Sequence, residues 1–318
     1  MIDSDEFMQR GERHLMEIAG VLPVVHTPFT DADKIDERSL ARQVQWAFDQ
    51  GVDGICTGMV SEVVRLTYHE RKWLTERLGE MKRPGTVFIA SVGAESTRQA
   101  VEYAQHAAEH GADAVMAIPP IAGGASDSQL LAYFSSLVDC VTVPIIVQDA
   151  SGYVGRPIAH SICRELLDRY GDERVLFKPE ANPLGPNLSA LRNATDGKAR
   201  IFEGSGGIVL VDSYRRGIVG TIPGMDLLPA IVKLWRALVA DDDKTIYRLS
   251  LPVSAMIALQ LQAGLDGFLA IEKYILQRRG LIDRAHRRGP YLWSLDEETG
   301  REVDRLLDRV ESAVAGCA

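Results

Sequence analysis

Residues 175–181 read Val-Leu-Phe-Lys-Pro-Glu-Ala, so an amine and a carboxylate close what looks like a short buried strand. Proline biases the residue before it towards an extended backbone. Extended residues two apart share a face, which puts Lys178 and Glu180 side by side. A lysine at the mouth of an apolar pocket loses hydration, its pKa falls, and its neutral amine can attack a carbonyl carbon. The chemistry on offer is imine formation, with a carboxylate at hand to move protons. The chain holds eight lysines. Lys34 and Lys198 fall in polar, turn-like segments, and Lys72, Lys82, Lys233, Lys244 and Lys273 in helix-like, amphipathic ones. Only Lys178 follows a run of strand formers. The competing reading is a strand-end lysine that snorkels to solvent beside a carboxylate. The placement of that strand end decides between them.

The surrounding pattern supplies the placement. Apolar, strand-like runs occur at 21–26, 54–57, 86–91, 114–118, 143–148, 175–178, 200–204 and 218–222. Helical periodicity fills the intervals at 37–50, 69–81, 96–110, 128–138, 157–170, 187–193, 207–215 and 225–239. Asp36 and Ser96 are good helix starts, and Pro157 suits a first helical turn. Eight strand–helix units in 220 residues, with no G-x-G-x-x-G turn, predict a closed (β/α)₈ TIM barrel over 21–240. A lead-in helix is expected over 1–20, and a C-terminal helical extension over 241–318. Active sites of such barrels lie at the C-terminal strand ends. Lys178 ends the sixth strand, which favours the nucleophile over the snorkelling residue.

The composition excludes several classes. The 318 residues are 46% hydrophobic and 25% charged, with a net charge of −9. An acidic chain argues against a nucleic-acid partner. Four cysteines without C-x-x-C spacing predict reduced, structural thiols. The first residues, with Asp3, Asp5 and Glu6, lack the order of a signal peptide, and no uncharged apolar run reaches about 18 residues. A cytoplasmic protein with no membrane partner is the expectation.

Thr27-Pro28-Phe29, the loop from Gly58 to Glu62, then Leu66, Glu70 and Arg71, and Leu176-Phe177-Lys178 together resemble the dihydrodipicolinate synthase and N-acetylneuraminate lyase family of class I aldolases. The resemblance covers nearly the whole chain from Val21. It implies a (β/α)₈ barrel with a helical extension, a keto-acid substrate bound to Lys178 as a Schiff base, no cofactor and no metal. It also implies a homotetramer, with a dimer as the alternative. The departures bear on activity. Gln148 stands where the family has its proton-relaying tyrosine, and an amide is no acid or base near neutral pH. Met59 and Val60 replace paired threonines, leaving Ser61 and loop N–H groups to hold a carboxylate. Pro120 and Ile121 stand where many members have a second tyrosine, and Tyr153 replaces an arginine. The family usually places its glutamate directly after the lysine; here Pro179 intervenes and Glu180 joins the lysine's face.

These features resemble the branch that dehydrates L-2-keto-3-deoxyarabonate to 2-oxoglutarate semialdehyde. By that resemblance Lys178 and Glu180 are catalytic. Gln148, Ser61, Val60, Tyr153, Gly204, Ser205 and Ile222 contact a 2-keto-3-deoxy sugar acid. Two alternatives stay open: a retro-aldolase releasing pyruvate and an aldehyde through the same imine, and a non-catalytic keto-acid binder. Other features are expected to be inert. His106 to His110 matches an H-x-x-E-H zinc pattern but belongs to a solvated outer helix. His26 is expected to be a packing residue, and Arg287-Arg288 solvated charges or subunit contacts.

Overall fold

A computed structural model describes residues 17–317. The strands are β1 (Gly20–Val21), β2 (Gly54–Cys56), β3 (Val87–Ser91), β4 (Ala114–Ala117), β5 (Ile145–Asp149), β6 (Val175–Pro179), β7 (Phe202–Glu203) and β8 (Gly220–Thr221). β2 to β6 pair in order as parallel neighbours, and β8 lies between β1 and β7. Single parallel bridges, Val24 with Cys56 and Phe177 with Ile201, join the two sets and close the ring.

Both faces of the ring are buried, which is why its strands read as unbroken apolar runs. Leu22, Val24, Cys56, Ile89, Ile146, Leu176, Phe202 and Ile222 fill the interior. Val21, Ile55, Phe88, Val147, Val175 and Phe177 face outward into the helices. Those helices are α1 (Glu37–Asp49), α2 (Tyr68–Met81), α3 (Thr97–Glu109), α4 (Asp127–Cys140), α5 (His160–Tyr170), α6 (Leu184–Ala194), α7 (Leu210–Arg215) and α8 (Leu228–Val239). Asp36 and Ser96 cap α1 and α3 as expected, each side chain accepting from first-turn N–H groups. No helix among the described residues is long and apolar enough to cross a membrane.

One expectation needs correction, the helix start at Pro157. The lead-in helix expected at 1–20 lies outside the described residues up to position 16; residues 17–19 are irregular and Gly20 opens β1. Pro157 does not open a helix. The Ile158 N–H donates to Asp149 Oδ2 at 2.9 Å, holding the segment back so that α5 starts at His160. The expected C-terminal extension forms α9 (Asp243–Leu261), α10 (Gly264–Arg278) and α11 (Glu297–Ala315). α9 packs along α8, and α10 reaches the 3₁₀ turn Met59–Ser61 at the C-terminal rim of the barrel.

Candidate active site

Lys178 and Gln148 face each other in register across β5 and β6. Leu176 below Lys178 packs inside the barrel while Phe177 faces out, so strand alternation aims Lys178 inward. Glu180 follows one step beyond the strand, its N–H donating to Asp149 O at 2.8 Å. The outcome is a compact triad. Glu180 Oε1 lies 3.3 Å from Lys178 Nζ, and Glu180 Oε2 accepts from Gln148 Nε2 at 2.6 Å. Burial pushes the Glu180 carboxyl above its ordinary range, while Lys178 and Gln148 pull it back down. Gln148 thus holds the Glu180 carboxylate and also faces the cavity over the triad.

A narrow cavity of about 40 Å³ opens over this triad. Gly204 after β7 makes the approach possible. A Cβ there would overlap Lys178 Cε and come within 2.7 Å of Glu180 Oε1. Tyr153 lines the same cavity, its ring edge-on to Phe268 of α10. Burial, with Glu180, Glu203 and Glu272 nearby, raises its phenol well above the ordinary value, so it remains a hydrogen-bond donor. Lys178, Glu180, Gln148, Val60, Tyr153, Gly204 and Ile222 all line the cavity. Ser61 and Ser205 do not. The Ser61 hydroxyl donates to Val25 O and accepts from Gly58 N–H at 3.1 Å, deep in the loop's own fold. Ser205 donates through Oγ and N–H to Glu203 Oε1, which spends its hydroxyl on the protein.

The structure adds residues that the sequence pattern left unassigned. Glu203 on β7, fully buried, accepts from Thr221 Oγ1 at 2.8 Å as well as from Ser205. Glu272 of α10 lines the cavity and pairs with His26. Its neighbour Lys273 is buried against Glu62, the carboxylate of the loop after β2. Arg288 is no solvated charge: its guanidinium meets both Glu70 oxygens at 2.8 and 2.9 Å and Asp33 O at 2.7 Å. Arg287 likewise donates to Asp266 O and Trp293 O. The H-x-x-E-H pattern lies on outer helix α3, where His106 and His110 meet Glu76 of α2 rather than Glu109. Helical spacing alone does not signal any of these long-range partners.

The dihydrodipicolinate synthetase family model matches residues 17–310. The chain belongs to that family. Among curated members, 4-hydroxy-tetrahydrodipicolinate synthase of Bartonella tribocorum is 31% identical over 156 residues, covering 49% of this chain and 53% of the synthase. The chain thus spans about half the length of this synthase relative. L-2-keto-3-deoxyarabonate dehydratase of Azospirillum brasilense is 29% identical over 306 residues, 93% of this chain and 95% of the dehydratase. The crystal structure of dihydrodipicolinate synthase from Rhodopseudomonas palustris superposes with a TM-score of 0.82 at 25% identity, covering 92% of this chain and 97% of that one. Family membership accords with the barrel and its helical extension.

Proposed function

We propose that the protein is a Schiff-base-dependent hydro-lyase that dehydrates a 2-keto-3-deoxy sugar acid, L-2-keto-3-deoxyarabonate, to 2-oxoglutarate semialdehyde. The carrying observation is the Lys178–Glu180–Gln148 cluster: an amine and a carboxylate 3.3 Å apart, the carboxylate held by an amide. Lys178 Nζ adds to C2 and the carbonyl oxygen leaves as water, giving a protonated imine. Glu180 removes a C3 proton, and the electron pair flows into the iminium as an enamine. The enamine expels the C4 hydroxyl, which leaves as water with the proton Glu180 carries. Loss of a C5 proton and reprotonation along the chain turn the C5 alcohol into an aldehyde. Hydrolysis of the imine then frees Lys178. The protonated imine is the electron sink throughout.

The near-full-length likeness to the Azospirillum dehydratase supports the choice of sugar acid. The family resemblance carries the expectation of a homotetramer, the composition that of a cytoplasmic protein, and the sugar acid that of a place in pentose metabolism. A dimer is the alternative, and sedimentation separates the two. The test of function is borohydride reduction in the presence of pyruvate or 2-keto-3-deoxypentonate, followed by peptide mass analysis. An adduct on the Lys178 peptide with semialdehyde as product supports dehydration. Pyruvate as product would make the protein a retro-aldolase, and no adduct from any keto acid would make it a binder.

A further inference from the structure

The cavity lining carries five polar side chains among the described residues: Gln148, Tyr153, Lys178, Glu180 and Glu272. Gln148, Lys178 and Glu180 cluster on β5, β6 and the step after β6, and Tyr153, after β5, packs against Phe268 of α10. Glu272 comes from the opposite side, from α10, where it packs beside Gly224 after β8 and His26 after β1. It is 2% exposed, and its Oε2 lies 2.6 Å from His26 Nε2. The His26 backbone is itself pinned, N–H to Gln43 Oε1 at 3.1 Å and C=O to Gln43 Nε2 at 2.7 Å. Gly224 leaves Oε1 uncovered: a Cβ there would stand 2.5 Å from it.

We propose that Glu272, oriented by His26, is the subsite for a hydroxyl on the substrate chain beyond C3. The assignment rests on the keto-acid reading of Lys178. A chain anchored at C2 on β6 extends across the cavity away from that strand, towards the α10 side that carries Glu272. Burial holds His26 neutral, down at about 4, and pushes Glu272 up to about 8. The contact with His26 Nε2 occupies Oε2, which leaves Oε1, beside Gly224, for the ligand. A buried carboxyl aimed into a cavity is costly to keep in a purely structural role. The substrate class it selects is a hydroxylated keto acid over pyruvate.

The experiment measures the concentration giving half-maximal borohydride trapping on Lys178, for pyruvate and for 2-keto-3-deoxypentonate separately. In Glu272→Leu the sugar-acid value rises about tenfold, the worth of one hydrogen bond, while the pyruvate value stays within about twofold. Glu272→Gln, which keeps an acceptor oxygen, restores most of the loss. Gly224→Ala, which crowds Oε1, gives the same selective loss and serves if the leucine variant does not fold. Equal movement of both acids, or movement of neither, overturns the subsite. A wild-type protein that traps no keto acid overturns instead the Lys178 reading beneath it.

Discussion

Lys178 and Lys273 are both buried at the same rim of the barrel, yet they are built for opposite ends. Lys178 Nζ has one carboxylate at 3.3 Å and a cavity in front of it. Lys273 Nζ donates to Thr27 O and His286 O, each at 2.8 Å, and to Glu62, with the Phe29 ring 4.6 Å away. All three of its donors are used, and it does not line the cavity over Lys178. Burial lowers its pKa to about 8, against the pull of Glu62. Desolvation alone therefore does not make a nucleophile. An amine becomes one when burial is combined with an open donor facing space for a carbonyl, and only Lys178 meets both conditions.

Lys178→Arg should break the comparison most completely. The borohydride adduct disappears, and turnover falls by more than about 10⁴-fold if the amine is the nucleophile. An adduct that survives on the Lys273 peptide would reverse the assignment of the two lysines. Glu180→Gln should keep the adduct but lower turnover by roughly 10²–10⁴-fold, the range for a lost acid–base group; single-turnover kinetics separate the two steps. Lys273→Met should do the converse. It strands the buried Glu62 charge, so urea unfolding should register a loss of about 3–5 kcal/mol, with imine trapping per folded molecule preserved. Gly204→Ala sharpens the picture by moving Lys178 without altering its chemistry, and roughly 10²-fold lower turnover in a folded protein is the expected result.

The smallest effect concerns pH. Asp226, which accepts from Gln260 Nε2 at 2.6 Å, is raised to about 7 by burial and by Glu272, and Glu272 to about 8 by burial. Both folded values exceed the unfolded ones, so their stabilising contribution is full below about pH 4 and is lost as pH rises through 7 and 8. His26, lowered to about 4, acts oppositely: its contribution is full above its unfolded value of 6.5 and is lost as pH falls through 4. Melting temperature should decline from pH 6 to 8.5. Glu272→Gln should flatten that decline, and an unchanged slope would exclude Glu272 as its source.

Much of the site was legible because its central pair is local. Lys178 and Glu180 are two residues apart, so strand alternation alone joins them, and the βα rhythm places them at the functional end. Glu272 and Lys273 were not legible. Their partners His26 and Glu62 lie 246 and 211 residues away, and in isolation they resemble the polar stripe of an amphipathic helix. The expected 21–26 and 218–222 strands shorten to two ladder residues each because burial of the apolar run continues past the hydrogen-bonded pairs. Ser61 and Ser205 were plausible by type, but a hydroxyl's direction depends on loop geometry that residue identity does not encode.

The Glu62–Lys273 pair also bears on the order in which the molecule is completed. Glu62 sits in a left-handed backbone conformation, φ 56°, fully buried, and its countercharge arrives 211 residues later. At ordinary synthesis rates that interval is roughly 10–40 s, during which the rest of the barrel can emerge from the ribosome without its cation. The loop keeps its bonds to the end of β1, from Ser61 Oγ to Val25 O and from Thr27 Oγ1 to Ser61 O, but Glu62 waits for Lys273 until α10 docks. A nascent barrel thus acquires its shape before this buried ion pair is complete.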